Sequence, residues 1–148
     1  MKYRIDFVLH WLWTLTYAIL AFSGVAMIGA KYGWVMNYNI TLADYLHRTT
    51  AALWTILFLV AVVVEVYQRI TGQKKYSLWL IVGPKDFQLF TLFSSLVFLI
   101  TGLYIWVGHG HQIAGFTFNL WLHEVFTYLG LASVIWHLYD KSHSLLLD

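Results

Sequence analysis

The sequence predicts an all-α membrane protein, a four-transmembrane-helix bundle formed as one domain over residues 1–148. Three observations carry that prediction. The chain is 60% apolar and only 11% charged, whereas an ordinary soluble domain is about 45–50% apolar and about 25% charged. Four stretches, residues 5–28, 42–66, 87–107 and 118–138, are apolar over the length of roughly 20 residues that a spanning helix needs. The basic residues then divide unevenly between the two sides those stretches define. Lys2, Arg4, Arg69, Lys74, Lys75, Lys85 and Lys141 fall on one side, and Lys31 and Arg48 on the other.

Taken in order, the first stretch carries Asp6 and His10, exceeds the length of a signal-peptide core and lacks a small-residue cleavage site, so a cleaved leader is not expected. It runs into a polar connection at residues 29–41 (GAKYGWVMNYNIT). The second stretch leads to residues 67–86, which hold several lysines and the single proline, Pro84, a helix breaker placed just before the third stretch. Residues 108–117 (GHGHQIAGFT) join the third stretch to the fourth. Trp34, Tyr38, Trp79, Trp106 and Trp121 lie near the stretch ends, where aromatic rings anchor at the membrane interface. No internal repeat or low-complexity tract stands out. The basic side faces the cytoplasm by the positive-inside rule, which places both termini there, in a prokaryotic cytoplasmic (inner) membrane.

Composition also removes several chemistries. There is no cysteine, which excludes disulfides, thiolate-bound zinc, protein-bound iron–sulfur clusters and covalent haem attachment through CxxCH. A net charge of +2 is too small for a nucleic-acid surface.

The chemistry sits in the histidines. Four of the seven fall inside the apolar stretches, where an ionisable group is costly and usually functional. His10 lies near the inner end of the first stretch and His47 near the outer end of the second. The fourth stretch carries both His123, at its outer start, and His137, at its inner end. Fourteen residues separate those two, which on a helix is close to four turns, about 40° of drift and about 21 Å of rise. Gly130 lies midway between them, and Gly24 lies fourteen residues beyond His10. Such bare positions suit either bulky flat groups stacked along the bundle or close helix contact.

Two pairs of histidines so far apart cannot share one zinc ion, which wants three or four protein ligands. A haem brings four equatorial nitrogens of its own, and two axial histidines complete its iron. The expectation is two haem b groups with bis-histidine iron: an inner one on His10 and His137, an outer one on His47 and His123. The roles of His109, His111 and His143, in a connection and the C-terminal tail, stay open between solvated residues and a partner contact.

At these residues the sequence resembles the four-helix di-haem cytochrome b subunits of membrane-bound formate dehydrogenases and related respiratory enzymes. The resemblance covers essentially the whole chain. It lies in LHWLW with His10, followed by Ser23–Gly24; in LHRTT with His47–Arg48; and in LHEVFTYLGLASVIWHLY with His123 and His137. It implies the same ligand pairs, a quinone or quinol site beside the inner haem, and a catalytic or electron-carrying redox subunit that meets the outer haem on the outer face. The chain differs in its compact length and short loops. The alternative is a self-contained quinone-reducing cytochrome b that takes electrons from a small diffusible donor.

Other residues support this expectation less specifically. Arg48 suits a haem propionate or a lipid headgroup. Asp86 and Gln88, entering the third stretch, suit a quinone carbonyl near His137 or a helix cap. Glu65 and Asp140 suit proton movement, although an interfacial carboxylate is ordinarily solvated. Glu124, next to His123, faces either the outer haem or a partner.

Overall fold

The computed structural model describes residues 5–33, 39–72, 86–108 and 117–146. They form four helices: α1 (Ile5–Tyr32), α2 (Ile40–Ile70), α3 (Asp86–Gly108) and α4 (Phe118–Leu146). No strand occurs among the described residues. The protein is all-α, as its apolar stretches predict.

Each helix outruns its apolar stretch at one or both ends. Apolarity marks only the part of a helix that lies in hydrocarbon, whereas the backbone ladder continues until something stops it. On α2 the start is set by Asn39, whose side chain accepts a hydrogen bond from the Leu42 N–H at 3.1 Å, satisfying one of the orphan donors of the first turn. At the far end the Thr71 N–H bonds the Tyr67 carbonyl at 3.0 Å, and Gly72 takes φ 70°, a left-handed stop that glycine adopts without a Cβ clash. Trp34, Tyr38 and Trp79, expected as interfacial anchors, lie outside the described residues, as do His109 and His111. Trp106 and Trp121 are exposed near helix ends.

The helices pack as two compact units, Met1–Pro84 and Lys85–Asp148. In the first, α1 and α2 run antiparallel, with Trp13 opposite Trp54 and Ser23 opposite His47. Trp54 is 4% exposed. It stacks on Trp13 at 5.7 Å and on Phe58 at 5.6 Å, and Trp13 stacks in turn on Tyr17 at 6.0 Å. This four-ring ladder fills the middle of the helix pair. In the second unit α3 and α4 are also antiparallel. Phe93 and Phe98 meet Phe126 at 5.8 and 6.4 Å, and Phe87 meets His137 nearer the start of α3.

Burial is inverted relative to a soluble protein. The buried residues include Thr16, Ser23, Ser94, Ser95 and Thr101, with Ala43 and Ala61, while Phe22, Val63, Val107 and Ile135 are exposed. Small residues let helices approach closely where lipid removes the hydrophobic drive between them, and continuous exposed apolar surface marks contact with lipid. Most of these hydroxyls are satisfied within their own helices, whereas the buried Ser94 Oγ has no hydrogen-bond partner among the described residues. Thr14 donates to the His10 carbonyl at 2.7 Å, Thr91 to Phe87 at 2.7 Å and Ser95 to Thr91 at 2.7 Å, the i−4 pattern expected of serine and threonine inside a helix.

Helices α1, α2 and α3 are long and apolar enough to cross a membrane, so the chain is a multi-pass membrane protein in contact with lipid. The fourth helix has the length, 29 residues, but three histidines, Glu124 and several tyrosines and tryptophans dilute its apolar content.

Trp54→Ala removes the central ring of the ladder. In a soluble core such a truncation costs about 3–5 kcal/mol. Here lipid is as apolar as the vacated site, so only packing is lost, and a smaller but measurable destabilisation is expected in a denaturant titration of the detergent-solubilised chain.

Candidate metal-ligating histidines

His47 projects from α2 against α1, where Ser23 and Gly24 receive it. The Ser23 Oγ lies 3.0 Å from His47 Nδ1. The same hydroxyl is 2.8 Å from the Ile19 carbonyl and 3.1 Å from that of Leu20. Gly24 makes the approach possible: a Cβ there would sit 3.3 Å from His47 Cε1. The glycine expected to leave a gap along the bundle therefore leaves room for an imidazole.

The second unit repeats the device. His123 projects from α4 against α3, where Thr101 Oγ1 lies 2.8 Å from its Nδ1. That hydroxyl is 2.6 Å from the Val97 carbonyl. Gly102 follows, its missing Cβ 3.7 Å from His123 Cε1, and Phe98 meets the ring edge-on at 5.1 Å. Ser23 is 7% exposed and Thr101 3%.

The hydrogen-bond arithmetic is the same at both places. A hydroxyl has one hydrogen and spends it on a carbonyl, which can only accept. The remaining contact is then a hydrogen bond donated by imidazole Nδ1–H to the hydroxyl oxygen. A neutral imidazole carries one N–H, so Nε2 is the nitrogen with the lone pair. This is the arrangement of a metal-ligating histidine whose far nitrogen is fixed by a polar neighbour, and it fits axial ligation of a haem.

His10 and His137 occupy the opposite ends of their units. Along α1, His10 is thirteen residues from Ser23, a rise of about 20 Å. Along the unbroken α4, His137 is about 21 Å from His123. Each unit thus holds two imidazoles at matched separations. His137 stacks face-on against Phe87, 4.3 Å between centroids and 10° between planes. That contact brings the start of α3, where Asp86 and Gln88 flank Phe87, to His137. His10 meets Trp11 edge-on at 5.9 Å. Gly130 is buried on α4 between its two histidines.

Other candidates are placed differently from expectation. Glu65 is not a solvated interfacial carboxylate but 2% exposed, with Oε1 accepting from Arg69 Nη2 at 3.0 Å. Arg69, one turn on, has the reach to cover the carboxylate while keeping half its side chain exposed. Arg48 Nε donates to Asp44 Oδ1 at 2.9 Å on the exposed side of α2. Asp140 pairs with Lys141 at 3.2 Å, both exposed. Glu124 is buried. Among the described residues no three or more His, Asp or Glu side chains gather around one point.

Thr101 and Gly102 were not singled out by the sequence. Their signal is a hydroxyl–glycine dipeptide inside an apolar helix, followed in the next helix by Leu-His: Ser23–Gly24 with Leu46–His47, then Thr101–Gly102 with Leu122–His123. The match is too short to register as a repeat. The chain matches no known family model, no curated protein and no solved structure.

Alanine substitution separates the two glycines. Replacing a helical glycine by alanine stabilises by up to about 1 kcal/mol, and Gly102→Ala, with ordinary contact distances, is expected to realise that gain. Gly24→Ala presses on the His47 ring and is expected to gain less or to destabilise. Unfolding titrations check the order. Imidazole ¹⁵N spectra check the tautomer, which is expected to be Nδ1–H at His47 and His123 in the parent chain.

Proposed function

We propose that the chain is a membrane-anchoring di-haem cytochrome b subunit that relays electrons between a partner redox subunit and the membrane quinone pool. The observation that carries this proposal is the placement of four imidazoles: two in each unit, about 20 Å apart along the helices, with His47 and His123 held in matching hydroxyl–glycine cradles. His47 and His123 sit toward the ends of their units where α1 meets α2 and α3 meets α4. His10 and His137 sit toward the other ends. Two imidazoles in each unit supply the four ligands that two bis-histidine haems need, and the ligand pattern resembles that of respiratory four-helix cytochromes b.

When bound, each haem would supply a one-electron carrier, and a pair of histidine ligands would suit it to electron transfer rather than oxygen chemistry. The chain's own residues do the rest. His10 and His137 would hold the inner haem, and His47 and His123 the outer one. Arg48, already paired with Asp44, adds a cation at the outer level. At the inner level Asp86 and Gln88 bracket Phe87 beside His137, the place for hydrogen bonds to a quinone carbonyl. Both termini lie in the cytoplasm of a prokaryotic inner membrane, and the partner docks outside.

Single replacements of the four histidines by alanine test the pairing. His47→Ala and His123→Ala are each expected to lose the same haem, read in reduced-minus-oxidised spectra, and to keep the other. His10→Ala and His137→Ala are expected to lose the second haem. In His137→Ala quinone reduction stops while the outer haem is still reduced by an external donor. If His47→Ala and His123→Ala depleted different haems, the pairing would be wrong.

A further inference from the structure

We propose that Ser23 and Thr101 are positioning residues for His47 and His123: each fixes its imidazole with Nε2 as the ligating nitrogen and tunes the potential of the haem that this imidazole would hold. The inference rests on the di-haem proposal above.

Its basis is the pair of short contacts at each hydroxyl. Ser23 Oγ lies 2.8 Å from a backbone carbonyl four residues back and 3.0 Å from His47 Nδ1. Thr101 Oγ1 lies 2.6 Å from the carbonyl four residues back and 2.8 Å from His123 Nδ1. The carbonyl takes the hydroxyl's hydrogen, so the hydroxyl oxygen receives the imidazole's. A hydroxyl already donating to a carbonyl is a better acceptor, because hydrogen bonds in a chain polarise one another. The Nδ1–H bond in turn raises the basicity of Nε2, and a more basic axial ligand favours the oxidised iron. Both outer ligands carry this bond, so both hydroxyls hold the outer potential down.

The geometry also says what conservative change each site tolerates. Serine and threonine share the hydroxyl and the i−4 donation, so exchanging them keeps the hydrogen bond. Ser23→Ala and Thr101→Val remove it with little change in volume. Neither residue is a metal ligand, and neither is needed for the haem's own axial bonds.

Potentiometric titration of the haem-loaded, detergent-solubilised full chain tests this, following the two haem bands separately. Ser23→Ala and Thr101→Val are each expected to raise the midpoint of one haem, the same haem in both variants, and to leave the other in place. The double variant is expected to raise it further, and Ser23→Thr and Thr101→Ser to keep the parent value. Outright loss of that haem in Ser23→Ala, with retention in Ser23→Thr, also supports the assignment. If both midpoints stay unchanged in Ser23→Ala and Thr101→Val, or if the hydroxyl-keeping variants shift equally, the assignment is overturned; two removals that move different haems overturn the proposed pairing of His47 with His123 instead. A parent chain that binds fewer than two haems overturns the di-haem proposal itself, which is a distinct result.

Discussion

An imidazole placed between apolar helices has two nitrogens to satisfy and no water to satisfy them. The solution here is a hydroxyl supplied by the neighbouring helix, and much of the local design follows from it. For the hydroxyl to reach Nδ1, the two helices must come close. Where they come closest the residue after the hydroxyl has little room for a side chain, as at Gly24, whereas at Gly102 a Cβ would make ordinary contact. For the hydroxyl to stay neutral and fully bonded inside a helix, its hydrogen has to go to the carbonyl four residues back. Serine–glycine and threonine–glycine meet all three requirements in two residues. One nitrogen of each imidazole is thereby committed, and the other is left chemically suited to a metal.

The rest of each helix pair holds this contact in register. In the first unit the ladder of Tyr17, Trp13, Trp54 and Phe58 locks α1 against α2 along their middle. In the second the phenylalanines around Phe126 do the same for α3 and α4. Stacked rings contribute dispersion that does not depend on water, which matters where lipid cancels the ordinary hydrophobic drive. A residue slip along either pair would carry the hydroxyl away from its imidazole, so packing and ligand orientation are set by the same register.

The helices were legible because apolar length is a strong signal, and all four occur where the sequence places them. Their ends were not, because Asn39 and Gly72 act through hydrogen bonds and a backbone angle that composition does not register. Of the four candidate ligands, the common helix of His123 and His137 was plain from their spacing. Gly24 was noticed for a gap, but its neighbour is an imidazole. Thr101 escaped because threonine in an apolar helix is common, and only its contact with His123 distinguishes it. Glu65 reads as an interfacial acid by position, and it is buried because Arg69 on the next turn covers it, a pairing that sequence permits but does not require.

The central claim is that four imidazoles serve two irons. The most direct measurement is the number of haems per polypeptide in the purified, haem-replete chain, from a pyridine haemochrome assay against quantitative amino-acid analysis. Two b-type haems per chain, both low-spin in the oxidised and reduced spectra, is the result expected. One haem, none, or a high-spin centre with an open axial position would contradict it.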